Sequence, residues 1–220
     1  ISRRKDAYEH IDPALVGNRM RVVVSELSGR GNLLSKAEEH GVEIGAGADI
    51  AAVLSDIKAL EARGFSFEAG EASVAMMLKR QEPGYRPPFE LVDFLVTVEH
   101  RPGRGLFAEG MVKVRVDGEL LHTAAEGDGP VGALDNALRK ALHGHYPIVD
   151  EMQLSDYKVR ILDPESGTAA VTRVLIDMQW SGQRWSTVGA SPNVIEASWL
   201  ALVDAIEYGI TIAKTRPAAS

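Results

Sequence analysis

The feature that most constrains this chain is an internal repeat. The stretch Gly127-Asp128-Gly129-Pro130-Val131-Gly132-Ala133-Leu134-Asp135-Asn136-Ala137-Leu138 is echoed 62 residues later by Gly189-Ala190-Ser191-Pro192-Asn193-Val194-Ile195-Glu196-Ala197-Ser198-Trp199-Leu200. Each copy reads as a tight turn that feeds a helix with proline at its first position. There the proline φ is already helical and the missing N–H has no partner to lose. Gly129 and Ser191 then fall at the N-cap, which favours small or hydroxyl residues. Val131, Leu134, Leu138 and Ala141 line one face of the first helix. Ile195, Trp199, Leu202 and Ile206 line one face of the second.

The repeat extends backwards. Leu91-Val92-Asp93-Phe94 answers to Leu154-Ser155-Asp156-Tyr157, 63 residues on. Each start is followed by strand-like runs. Val92, Phe94, Val96 and Val98 alternate with other residues, as do Val112, Val114 and Val116. In the second copy Tyr157, Val159 and Ile161 alternate, and then Val174, Ile176, Met178 and Trp180. Asp117-Gly118 and Ser181-Gly182 are hairpin turns. The expected architecture is α+β: a small helical part, then two βββα units over about 89–145 and 153–213. One such unit has a single sheet face and one amphipathic helix, too little to bury itself well, whereas two together can.

Ahead of the repeat the chain reads as helical linker subdomains over 1–82, followed by a break at 83–88. Asp49 opens a helix with Ile50, Val53, Leu54, Ile57 and Leu60 on one side, and Gly64 stands where a terminating glycine belongs. Shorter helices are expected over 33–40 and about 68–79. Glu82-Pro83-Gly84-Tyr85-Arg86-Pro87-Pro88 reads as a linker. The last residues, 215–220, look like a disordered tail. There is no run of about 18 apolar residues for a membrane span and no signal-peptide pattern at Ile1. The chain starts without Met, which suits a piece of something longer. The absence of cysteine excludes thiolate metal sites and disulfides and suits the cytoplasm. A net charge of −7 argues against nucleic acid, whose phosphates demand lysine and arginine.

Two further stretches make the chain recognisable. Residues 8–18 (Tyr-Glu-His-Ile-Asp-Pro-Ala-Leu-Val-Gly-Asn), continuing to Val24-Ser25-Glu26-Leu27-Ser28-Gly29-Arg30-Gly31-Asn32, resemble the segment that follows the catalytic barrel in citramalate synthases, relatives of 2-isopropylmalate and homocitrate synthases. Ile57–Phe65 with Phe67–Ser73 resembles the next stretch of those enzymes, and the Gly127–Pro130 run with its repeat resembles their C-terminal dimerisation and regulatory domain. The resemblance implies an acyl-CoA condensing enzyme, most simply (R)-citramalate synthase of isoleucine biosynthesis, acting on acetyl-CoA and pyruvate. A 2-isopropylmalate synthase piece sensing leucine and a free-standing amino-acid-binding module are the alternatives. The catalytic (β/α)₈ barrel needs about 250 residues. It is not in this stretch, and the divalent metal that the family uses belongs to it. No cofactor is expected in the residues at hand. The resemblance also implies a homodimer formed through the βββα domain, with a branched-chain amino acid (isoleucine or leucine) as effector.

The candidate effector residues start at the first turn. A helix start offers N–H groups and a partial positive charge to a carboxylate. Gly129 has no side chain to occupy those donors, and Gly127 and Gly132 allow a ligand or another backbone to come close. Ser191 can cap its own helix, so the first turn, Gly127 to Gly132 with Pro130 and Val131, is the better carboxylate site. The plainer alternative is two ordinary helix starts. The resemblance adds Leu154, Tyr157, Ile161, Thr168, Val171, Ser191 and Pro192 as effector contacts; Ile161 and Val171 serve equally well as core. It also lets Tyr8 touch the partner's active site, whereas the sequence alone makes Tyr8 and His10 surface loop residues. His143-Gly144-His145 lacks companion ligands and reads as a helix-end or surface feature.

Overall fold

The computed structural model describes residues 49–103 and 105–215. The expectations placed on 1–48, including Tyr8, His10 and the helix over 33–40, and on 216–220 lie outside the described residues. Helix α1 (Ile50–Ala62) starts where the Asp49 carboxylate accepts the Ala52 N–H at 3.0 Å, and it ends ahead of Gly64 at φ +103°. Helix α2 (Glu71–Lys79) begins three residues later than the sequence suggests. Residues 66–69 form a turn that drops Phe67 into the core, and Gly70 lies so close to strand backbone that a Cβ there would be 2.6 Å from Val188 Cγ1. Val74 and Leu78 of α2 pack with Ile50, Val53 and Ile57 of α1, while Ala72, Ala75 and Met76 join the main core. The helical part and the repeat therefore share buried surface across the Glu82–Pro88 segment.

The first unit is β1 (Glu90–Arg101), β2 (Gly105–Val116), β3 (Glu119–Gly127) and α3 (Pro130–Leu142). A 3₁₀ turn at Pro147–Asp150 leads to the second: β4 (Gln153–Ile161), β5 (Thr172–Trp180), β6 (Gln183–Ser191) and α4 (Val194–Thr215). Each unit makes its own antiparallel three-stranded sheet, β1-β2-β3 and β4-β5-β6. The equivalences go down to single bonds. Each first strand carries a bulge, at Leu91/Asp93 and Leu154/Asp156. Each hairpin has two left-handed residues, Asp117-Gly118 and Ser181-Gly182. Thr123 Oγ1 donates to the Ala137 carbonyl and Thr187 Oγ1 to that of Ala201, both at 2.7 Å.

These pairs set the period at 64 residues in the second half of each unit, not the 62 read from the two prolines. Two residues separate the last strand from the helix in both units, so Pro130 corresponds to Val194, and Pro192 sits in the turn instead of at the first helical position. Each helix is seated through a glycine on its sheet. A Cβ on Gly127 would be 2.3 Å from Ala133 N, one on Gly110 2.6 Å from Ala133 C, and one on Gly189 2.0 Å from Ala197 O. Ala133 and Ala197 are the same position in the two units.

Between the units, Arg139 of α3 donates to Asp135 within its helix and to the carbonyls of Val149 and Met152, which fixes the connecting turn. Leu134, Leu138 and Leu142 of α3 and Leu202, Ile206 and Ile210 of α4 are fully buried in one core with Val112, Val114, Ile176 and Met178. The seating at Gly189 is directly testable. Gly189→Ala should cost about 1–3 kcal/mol by overpacking, read as a lower denaturant midpoint. An unchanged midpoint would mean that α4 does not rest on β6 in this way.

Candidate functional site

The two helix starts, alike in sequence, differ in chemistry. At α3 the Gly129 N-cap is extended, Pro130 is the first helical residue, and no described side chain caps the helix. Ala133 N reaches the Gly129 carbonyl, which leaves the Val131 and Gly132 amides directed at the turn. A Cβ on Gly129 or Gly132 would meet nothing within 4 Å. Gly127 differs: its missing side chain makes room for the chain's own helix. At α4 the donors are taken. Asn193 Oδ1 accepts from Ile195 N at 2.9 Å and Glu196 N at 3.4 Å, while Ser191 Oγ accepts from Asn193 N at 3.0 Å and bonds Glu196. The cap is thus Asn193, not Ser191. Ser191 ends β6, paired with Thr172, and is buried, because the constant two-residue step from strand to helix carries the cap past it.

A second feature runs along β1 and β4. Helix α3 lies over β2 and β3 and only brushes β1; α4 lies over β5 and β6. Paired residues of an antiparallel sheet share a face. Leu91 (with Val114), Val98 (with Ala108), Leu154 (with Met178), Val159 (with Val174) and Ile161 (with Thr172) therefore all point to the core side. Their cross-strand partners are buried, yet these five remain between 38% and 56% exposed. Both strands are sheet edges. The two first strands meet the start of α4: the Phe94 ring lies 5.0 Å from that of Trp199, and Tyr157 Oη is 2.7 Å from Ser198 Oγ.

The remaining sequence candidates fall into separate groups. Leu154, Tyr157 and Ile161 share the core side of β4, but seven residues of strand put Leu154 and Ile161 roughly 20 Å apart, too far for one amino acid to touch both. Thr168 is exposed in a 3₁₀ turn, Pro164–Ala169. Val171 lies beside it, its N–H bonded to Asp163, with its side chain against Gly64 at the end of α1. Hydrogen bonds from Ser166 and Val171 hold the Asp163 carboxyl below its usual range. Ile161, Val171, Thr172 and Ser191 thus gather at one end of the second sheet, and Pro192 is exposed beside them. Val131 and Pro130 are half-buried at the first turn.

His143 pairs with Asp150, and His145 lies 3.8 Å from Glu119. Among the described residues no three His, Cys, Asp or Glu side chains cluster to hold a metal. No helix of the described residues is long and apolar enough to cross a membrane. The exposed core side of β1 and β4 escaped the sequence reading, which took strand alternation to mean burial.

Residues 68–210 match the family described as the LeuA allosteric (dimerisation) domain. The chain belongs to that family. It is 46% identical over 210 residues to the (R)-citramalate synthase of Geobacter sulfurreducens, covering 94% of this chain and 40% of that protein. It is 46% identical over 220 residues to that of Synechocystis, with 96% and 40% covered. The 2-isopropylmalate synthase of Thermus thermophilus is 29% identical over 207 residues, covering 93% of this chain and 58% of that one. The chain spans about 40% of the length of the citramalate synthases it matches. The unlike helix starts of this LeuA-type domain give opposite expectations. Gly129→Asp supplies a missing cap and should raise stability by about 0.3–1 kcal/mol. Asn193→Ala removes one and should cost about 1 kcal/mol. Equal effects of the two in chemical denaturation would contradict the contrast.

Proposed function

We propose that this chain is the regulatory and subunit-pairing part of an (R)-citramalate synthase, an acyltransferase that condenses acetyl-CoA with pyruvate in a metal-dependent barrel outside these residues. The higher identity to citramalate synthases, 46% against 29% for a 2-isopropylmalate synthase, supports that assignment and favours isoleucine over leucine as the effector. The protein works in the cytoplasm as a homodimer joined through its βββα units.

The observation that carries the ligand reading is the bare start of α3. Its Val131 and Gly132 amides face open space at Gly129, and the helix dipole adds a partial positive charge there. The carboxylate of the effector docks on these donors. Its branched side chain lies against the exposed core side of a first strand, brought near by the second subunit. Pairing is supported by the five uncovered apolar residues of β1 and β4, which a second copy would bury. The whole list of contacts then divides between subunits, which removes the difficulty of Leu154 and Ile161 lying on one strand far apart. A branched aliphatic chain is distinguished from its neighbours by only about 1–3 kcal/mol per methylene, so isoleucine, leucine and valine should bind in graded order.

Isothermal titration of the chain with isoleucine, leucine and valine tests the reading. Isoleucine should bind most tightly, and Gly129→Asp, which sets its own carboxylate on the same donors, should weaken it by about tenfold or more while the fold is kept. Unchanged affinity in that variant would reject the site, and no binding of any of the three by the unaltered chain would reject the amino-acid reading.

A further inference from the structure

Helix α4 carries Asp204 and Glu207 along its middle turns, where the helix is otherwise buried over most of its length. Glu207 is only 3% exposed. Both carboxylates are met by one guanidinium: Arg80, the residue that ends α2, places Nη2 2.7 Å from Asp204 Oδ1 and also on Glu207, with Nε 3.3 Å from Glu207 Oε1. Tyr85, in the middle of the proline-rich segment, donates its hydroxyl to Glu207 Oε1 at 2.8 Å. Ser73 of α2 bonds Asp204 and, through Oγ, also accepts the Val188 N–H of β6 at 3.1 Å. Burial works to discharge Arg80, and the two carboxylates outweigh it and keep it charged; burial pushes Asp204 up, against the pull of Arg80. The Arg80 side chain is 37% exposed and that of Glu207 5%, so displacing Arg80 would return the guanidinium to water but leave the buried Glu207 carboxylate with only the Tyr85 hydroxyl.

The far end of the same helix behaves differently. Its N-terminal turns hold Trp199 against Phe94 of β1 and Ser198 on Tyr157 of β4, the two strands whose core side is uncovered. Ser198 and Glu207 are nine residues apart, so about 14 Å of one uninterrupted helix joins the two regions. The helix is seated near its start by Gly189 at Ala197 and again at Gly209, where a Cβ would be 2.6 Å from the Met152 side chain.

The geometry points to α4 as a lever, and to the Arg80–Asp204–Glu207–Tyr85 cluster as the joint through which ligand occupancy at the first strands is passed to α2 and the segment 80–88. This rests on the amino-acid reading above and assigns the residues that carry its signal toward the N-terminal part of the chain. Coupling between two sites is reciprocal: if the ligand changes the joint, altering the joint changes the ligand's affinity.

The test uses this chain with L-isoleucine as the probe, and reads both affinity by titration calorimetry and amide hydrogen exchange over residues 71–88. Saturating isoleucine should change exchange in that stretch although none of its residues is among the proposed ligand contacts. Tyr85→Phe, which removes one hydroxyl and keeps the ring, and Arg80→Lys, which keeps the charge and loses the fork, should each shift isoleucine affinity by about fivefold or more and abolish the exchange change. Melting curves confirm that the variants stay folded; if Arg80→Lys does not, Tyr85→Phe decides. Isoleucine binding with wild-type affinity in a folded variant, with no exchange response at 71–88 in the unaltered chain, would overturn the joint while leaving the binding site intact. Failure of the unaltered chain to bind isoleucine would overturn the amino-acid reading, and the joint with it.

Discussion

A helix is about 10 Å wide with its side chains and strands lie about 4.8 Å apart, so one helix covers two strands of a three-stranded sheet and leaves the third. Everything distinctive about this domain follows from that mismatch. Both helices sit over the second and third strands, pinned there by glycine seats at Gly110, Gly127 and Gly189. Both first strands are left with apolar side chains on the core side that the other described residues only partly cover. Exposed apolar side chains along edge strands mark a place for another protein surface. In a family described by its dimerisation, a second copy is the natural cover.

The duplication supplies two near-identical frames, and function then resides in where they differ. Thr123 and Thr187, the hairpin pairs at 117–118 and 181–182, and the bulges keep the frames in step. Against that constancy the helix starts diverge: one closes on its own Asn193 and Ser191, and the other keeps its amides for something else. The hairpins diverge as well. The ladder between β1 and β2 runs on to Arg101 and Gly105, whereas the ladder between β4 and β5 stops at Ile161 and gives way to the 3₁₀ turn bearing Thr168.

Much of this was legible in the chain because the signals were local. Helix α1, both hairpins, the three-strand units and the Gly129 cap come from turn chemistry and period alone. The second cap was misplaced because Pro192 imitates Pro130 in sequence, whereas the structure counts residues from the end of the strand. The start of α2 was misplaced because Gly70 is fixed by contact with Val188, more than a hundred residues away. The uncovered side of β1 and β4 left no mark either: an inward-facing valine reads the same whether a helix reaches it or not. The cluster at Arg80 had only a faint signal, Asp204 and Glu207 among the apolar residues of α4. Of the candidate ligand residues, Gly129 and Gly132 lie open at the first turn, Gly127 is taken up by the chain's own helix, and those carried by resemblance spread over two ends of one sheet.

Helix α4 unites these features, since it touches both first strands at one end and the segment leading toward the N-terminus at the other. Its arrangement makes sense only if the first strands are covered in the working protein. Sedimentation equilibrium of the 220-residue chain over a range of concentrations measures that most directly. The account predicts a species of twice the 23.8 kDa chain mass, which Val159→Glu returns to a folded single chain by placing a charge on the buried face. A chain that stays at 23.8 kDa at every concentration, with β1 and β4 still open to solvent, would contradict it.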